Sequence, residues 1–153
     1  MSDFYNNLNY DYKFVKGDTI NMGFELFDDN SVPIDILSNN LTHIKFTVIN
    51  PYSSKIVIEK SHNDVLLGGK GVYIQGDTNA PGYSTNQLGL DTVNKIVVLL
   101  DYDDTNNLEV GVYPYDIEIS DNTYHGSSVL SSAKLTKIKG NLIITREVTP
   151  SAI

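Results

Sequence analysis

The side chains best placed for metal chemistry lie between Asp101 and Glu109, where oxygen-bearing residues alternate along the chain. Such alternation is typical of the ligands at positions 1, 3, 5, 7 and 9 of a calcium loop. However, Asn106 replaces the glycine of that loop, and Val112 replaces its final glutamate. A polar hairpin turn explains the same residues. We therefore predict no metal ligand and no cofactor.

The residues that could support catalysis are scattered along the chain. His43, His62 and His125 lack the i, i+4 or alternate spacing that presents two nitrogens to one metal. The acids that could form a glycosidase pair lie in or beside predicted strands, where carboxylates normally face solvent. These acids are Glu25, Glu59, Glu109 and Glu118. We predict that the chain is not an enzyme and has no catalytic residue.

Composition narrows the classes of partner. Eleven Lys and Arg against nineteen Asp and Glu give a net charge of −8, which repels phosphate backbones and anionic lipid. We expect no nucleic-acid partner and no membrane partner, since no stretch is long and apolar enough to cross a bilayer. The chain has no cysteine, so disulfides and thiolate metal sites are excluded.

Hydrophobic periodicity predicts an all-β fold. Ile20, Met22, Phe24 and Leu26 alternate with polar residues or glycine, as in a strand with one buried face. Similar segments recur at intervals of roughly ten residues between Gly, Asn, Asp and Pro turns, which is typical of an antiparallel sandwich. We predict an immunoglobulin-like β-sandwich of about eight or nine strands, with at most one short helical turn.

Three local features are predicted within this sandwich. The turn residues 50–54 indicate a hairpin that joins the strands on either side of them. The apolar run 95–100 indicates a central strand buried on both faces. Lys139-Gly140 is spaced for a tight hairpin between two closing strands.

The N-terminal segment is polar but carries aromatic rings that could anchor in the groove of a neighbour. We divide the chain into an arm at 1–12 that orders on assembly, one sandwich domain at 13–149, and a tail at 150–153. The predicted partner-binding residues are Phe4, Tyr5, Tyr10 and Tyr12. An equally open alternative is that residues 10–15 are simply the first strand.

The order of segments resembles the N-terminal domain of phage baseplate upper proteins and related small tailed-phage virion proteins. The segments that carry this resemblance are Lys16-Gly17-Asp18-Thr19, Ser31-Val32-Pro33-Ile34-Asp35-Ile36, residues 44–49, Gly111-Val112-Tyr113-Pro114-Tyr115-Asp116-Ile117-Glu118-Ile119, and residues 140–149. Ile36 stands where that family has Leu, and residues 76–93 have no counterpart in it.

The resemblance implies an immunoglobulin-like structural or adaptor protein of a virion, in the tail, baseplate, neck or head surface. It implies several symmetry-related copies bound to other virion proteins through edge strands and the arm, after assembly in the cytoplasm of the bacterial host. The alternative is a carbohydrate-binding receptor-recognition module, in which Tyr73, Tyr83 and Tyr124 stack on sugar rings.

Overall fold

A computed structural model describes residues 9–27, 30–38, 41, 43–62, 71–74, 94–120 and 135–146. These residues contain eight β-strands and one short helix. The elements are β1 (Asn9–Val15), β2 (Ile20–Glu25), β3 (His43–Ile49), β4 (Ile56–Ser61), β5 (Val72–Ile74), β6 (Lys95–Leu100), α1 (Tyr102–Asn106), β7 (Gly111–Ser120) and β8 (Leu135–Thr145).

The strands form two sheets that enclose one hydrophobic core. The larger sheet has the order β1-β8-β7-β3-β4, and the smaller has the order β2-β6-β5. Aromatic rings meet between the sheets, where the ring centroid of Tyr115 lies 6.1 Å from that of Phe24 and 5.4 Å from that of Phe46. This arrangement confirms the predicted all-β, immunoglobulin-like sandwich.

One strand pair departs from the antiparallel pattern, because β1 runs parallel to β8. The chain leaves β1 through a turn in which the Asp18 N–H donates to the Val15 carbonyl at 3.0 Å. Gly17 adopts a φ of +89° there, a conformation that residues with a side chain rarely adopt. The turn carries the chain into β2 of the opposite sheet, so β1 pairs with the C-terminal strand instead of with its successor.

The hairpin predicted around residues 50–54 is confirmed. Strands β3 and β4 pair antiparallel, and the Asn50 N–H donates to the Lys55 carbonyl at 2.8 Å to close the turn. The register shifts beside Ile49, which pairs with Ile56 while Val48 pairs with Ile58. Val57 is therefore an extra residue on β4, which is the geometry of a β-bulge.

The prediction for residues 95–100 is also confirmed. They form β6, the middle strand of the smaller sheet, which pairs with β2 on one side and with β5 on the other. Four of its side chains are buried: Ile96, Val97, Val98 and Leu100. A strand with neighbours on both edges and cover on both faces needs this continuous apolar composition.

The predicted hairpin at Lys139-Gly140 is wrong, because β8 continues through both residues from Leu135 to Thr145. Gly140 lies in mid-strand, paired with Tyr10 on one side and Tyr115 on the other. The buried residues Ile138 and Leu142 flank Gly140 in the same alternation. Glycine here therefore belongs to a strand interior, not to a turn.

Candidate protein-contact groove

The predicted N-terminal contact residues divide into those inside the fold and those outside the described residues. β1 begins at Asn9, so residues 9–12 of the predicted arm belong to the sheet. The ring of Tyr12 packs edge-on against Phe24 at 5.5 Å, and its hydroxyl donates to the Gly23 carbonyl at 2.6 Å. Tyr12 therefore has an internal role. Tyr10 is a strand residue, and Phe4 and Tyr5 lie outside the described residues.

The calcium-like segment contains the short helix α1, and its acids serve the helix. Asp101 is the N-cap: its side chain accepts from the Asp104 N–H at 3.2 Å, and the Asp104 carboxylate accepts from the Asp101 N–H at 3.0 Å. Asp104 also forms an ion pair with Lys60 at 3.0 Å. These contacts explain the polar spacing as a capping box. Within the described ranges, no group of three or more His, Cys, Asp or Glu side chains is placed to hold a metal ion.

Among the residues that the structure describes, the candidate histidines and acids do not come together in one site. His62 is buried and donates from Nδ1 to the Val72 carbonyl at 2.9 Å, whereas His43 is exposed at the start of β3. Glu59 forms an exposed ion pair with Lys45 at 3.4 Å. His125 lies outside the described residues, as do Tyr83 and Tyr124 of the predicted sugar-stacking set. The remaining member of that set, Tyr73, is buried in β5.

An open groove of about 630 Å³ lies at one end of the larger sheet, a site that the sequence analysis did not single out. One wall is the β3–β4 turn at residues 50–52, and the other is formed by residues 109–114 at the start of β7. Tyr52 stands at its edge and is 97% exposed, and Val112 is 51% exposed. The sequence does contain a signal for this groove, because Pro51-Tyr52 places an aromatic side chain in a turn. An aromatic ring at the tip of a turn has no core to pack against and is left exposed.

Local hydrogen bonds hold both walls of the groove. The Asn50 side-chain oxygen accepts from the N–H groups of Tyr52 and Ser53 at 2.8 and 3.1 Å, a local side-chain cap that defines an Asx turn. On the other wall, the Tyr113 hydroxyl donates to the Glu109 carbonyl at 2.9 Å. Hydrogen bonds within each wall therefore fix its local conformation.

The surroundings of Tyr113 in the groove shift the pKa of its phenol. Burial raises the pKa of this phenol above its usual value of 10.0, and the negative charge of the Glu109 carboxylate and the nearby Tyr52 raise it further. An adjoining cleft of about 400 Å³ shares Glu109 and is lined by Lys16 and Arg146. Glu109 thus stands between an apolar groove and a basic cleft.

Comparisons with known proteins leave the family open. No family model matches the chain, and no curated protein matches it in sequence. Among solved structures, the fold is similar to AggA, the major subunit of aggregative adherence fimbriae type I from Escherichia coli. That match has 7% identity and a TM-score of 0.40, over 92% of this chain and 99% of the other. No helix in the described part of the chain is long and apolar enough to cross a membrane.

The predicted function as a tailed-phage virion protein is corrected by this comparison, because the matched structure is a bacterial fimbrial subunit. The structure gives a physical reason for the error. Gly17 serves the turn after β1, Tyr113 and Tyr115 fill the inner face of β7, and Pro33 forms an isolated bridge with Phe27. Residues with such duties are expected in any sandwich of this kind.

Proposed function

We propose that this chain is a non-enzymatic structural protein that assembles in several copies through protein–protein contact at one end of its larger sheet. The observation that carries the proposal is where the exposed apolar side chains gather. Five of the eight large hydrophobic residues that are exposed in the described ranges lie at the β3–β4 turn, the start of β4 and the start of β7. They are Tyr52, Ile56, Val57, Val110 and Val112.

The pairing register places several apolar side chains on the outer face of the sheet at this end. Ile56 lies opposite Ile49, and Val112 lies opposite Ile143. Ile56 is 57% exposed. Contiguous exposed apolar surface rimmed by polar residues is characteristic of interaction sites.

Charges on the same outer face suit a second copy as partner. Lys45 forms its ion pair with Glu59 and lies opposite Glu118 on β7. Asp116 lies opposite Lys139 on β8. Because both signs are present, two copies of this face can align unlike charges around an apolar centre, although the whole chain carries −8.

The position of β4 at the edge of the sheet also favours self-association through this surface. In the described strand order, β4 is the last strand of the larger sheet. Its charged residues, Glu59 and Lys60, are engaged with Lys45 and Asp104. Because both charged residues lie in the second half of β4, the first half exposes only the apolar side chains of Ile56 and Val57. An uncharged, apolar edge of this kind favours association.

Sedimentation equilibrium over a range of concentrations tests the proposal. We expect wild-type protein to self-associate, and Val57→Lys to raise the dissociation constant about tenfold or more by placing a charge in the apolar centre. Leu37→Lys is the matched control, because Leu37 and Val57 are both 38% exposed. A wild-type chain that stays monomeric at every concentration would refute the proposal, as would equal effects of the two lysine substitutions.

A further inference from the structure

We propose that the groove between residues 50–52 and 109–114 binds a proline-rich segment of another protein, in polyproline II conformation, with a Lys or Arg beside Glu109. This goes beyond the proposed self-assembly: the groove shares Tyr52, Val110 and Val112 with the exposed apolar surface, but Ile56 and Val57 of β4 do not line it. Proline-rich peptides dock in aromatic-lined grooves because they are already extended and lose little conformational entropy on binding.

The lining of the groove fits pyrrolidine rings. Tyr52 and Tyr113 contribute aromatic surface, and Pro51 and Pro114 contribute rigid apolar surface on the two walls. Tyr113 is 7% exposed and forms a fixed floor, whereas Tyr52 is 97% exposed and is free to cover a ligand. A rigid floor with an exposed aromatic edge lets a ligand bury apolar area at low entropic cost.

The hydrogen-bonding groups of the groove fit a ligand that only accepts. A proline-rich segment has carbonyl oxygens without internal partners, and its prolines have no N–H. The Asn50 side-chain oxygen is already used by two backbone N–H groups of its turn, which leaves the amide NH2 of Asn50 as donor to a ligand. The Tyr52 hydroxyl is a second donor at the rim.

Charge selects a basic residue in the ligand. Glu109 lines the groove, and neither ion pair found in the described residues involves it. Lys16 and Arg146 line the adjoining cleft with Glu109 but do not line the groove. A ligand cation in the groove therefore meets the Glu109 carboxylate, on a chain whose net charge of −8 attracts basic peptides.

The test is a titration of the isotope-labelled chain with decaproline that carries one terminal Arg, followed by amide NMR. We expect saturable shifts at residues 50, 52–54 and 109–113, and weaker binding when Glu replaces the Arg of the peptide. A Gly/Ser peptide of equal length with the same Arg should cause no saturable shift. Glu109→Gln should reduce the preference for Arg over Glu by about threefold to fivefold.

Tyr52→Ala should weaken binding of the Arg-decaproline peptide about tenfold. Tyr102→Ala is the matched control, because Tyr102 is also exposed but lies on α1, outside the groove, and it should bind as wild type does.

The inference is overturned if decaproline causes no saturable shift in these residues, or if Tyr52→Ala binds it normally. It is also overturned if concentrating the chain without peptide shifts the same amides and added peptide shifts none further, because the groove then belongs to a second copy. The Val57→Lys variant should still bind the peptide, so failure of self-assembly and failure of peptide binding are separate results.

Discussion

The hydroxyl of Tyr12 on β1 donates a 2.6 Å hydrogen bond to the backbone carbonyl of Gly23 on β2, and this bond joins the two sheets of the sandwich. The ring of Tyr12 packs on Phe24 in the same region. In the described strand order, β1 is an edge strand of the larger sheet, and β8 is its strand partner. Tyr12 is therefore positioned to fasten the β1 edge of the larger sheet to the smaller sheet.

Tyr12→Phe should lower the free energy of unfolding by about 1 kcal/mol, because the Gly23 carbonyl loses its donor while the ring packing is kept. Urea denaturation measures the change. Tyr102→Phe, at an exposed ring on α1, should leave stability unaltered. Equal stability of Tyr12→Phe and wild type would show that water replaces the hydroxyl at no cost.

Gly17→Ala should destabilise the chain by about 1 to 2 kcal/mol, because a Cβ disfavours the φ of +89° at this turn. Gly23→Ala is the control within β2. The added Cβ would lie 3.0 Å from Cε of Lys95, the far end of a flexible side chain that can move away. Thermal unfolding of both variants decides the comparison, and the prediction fails if Gly23→Ala is the more damaging of the two.

Asp101→Ala should cost about 1 kcal/mol, since it removes the side-chain acceptor that caps α1. Asp103 provides the control, because it lies in the first turn of the same helix but is not the cap residue. Asp103→Ala should change the free energy of unfolding by less than about 0.5 kcal/mol. A reversed order in chemical denaturation would contradict the capping role.

Tyr113 should make stability fall at alkaline pH. Its folded pKa is raised above 10.0, chiefly by burial, so the unfolded chain loses this proton first as pH increases. The stabilising contribution is complete below the unfolded pKa and is lost as pH rises from there through the folded pKa. Tyr113→Phe should remove that part of the alkaline decline in urea midpoints. Tyrosinate absorbance of the native chain should show one late-titrating phenol that is missing from Tyr113→Phe, and a native chain without this late titration would contradict the burial argument.

Phe46→Ala and Tyr52→Ala should differ strongly although the two aromatics are six positions apart in sequence. Phe46 is fully buried, so its truncation should cost about 3 to 5 kcal/mol. Tyr52 is 97% exposed, and its truncation should change stability by less than about 0.5 kcal/mol. Calorimetry of both variants tests this, and a large loss for Tyr52→Ala would mean that the ring supports the fold.

The amino-acid sequence by itself determined the fold class, the β3–β4 hairpin and the central strand β6. These depend on alternation and on turn residues that act over a few neighbours, such as Asn50 capping its own turn. Tertiary structure decided that Gly140 lies within β8, between Tyr10 and Tyr115, because only strands distant in the chain make that position extended. It likewise placed Tyr12 against Gly23 and set residues 50–52 opposite 109–114 to form the groove. Local sequence patterns do not specify which remote segments lie close together, and the groove exists only because the fold brings residues 50–52 and 109–114 together.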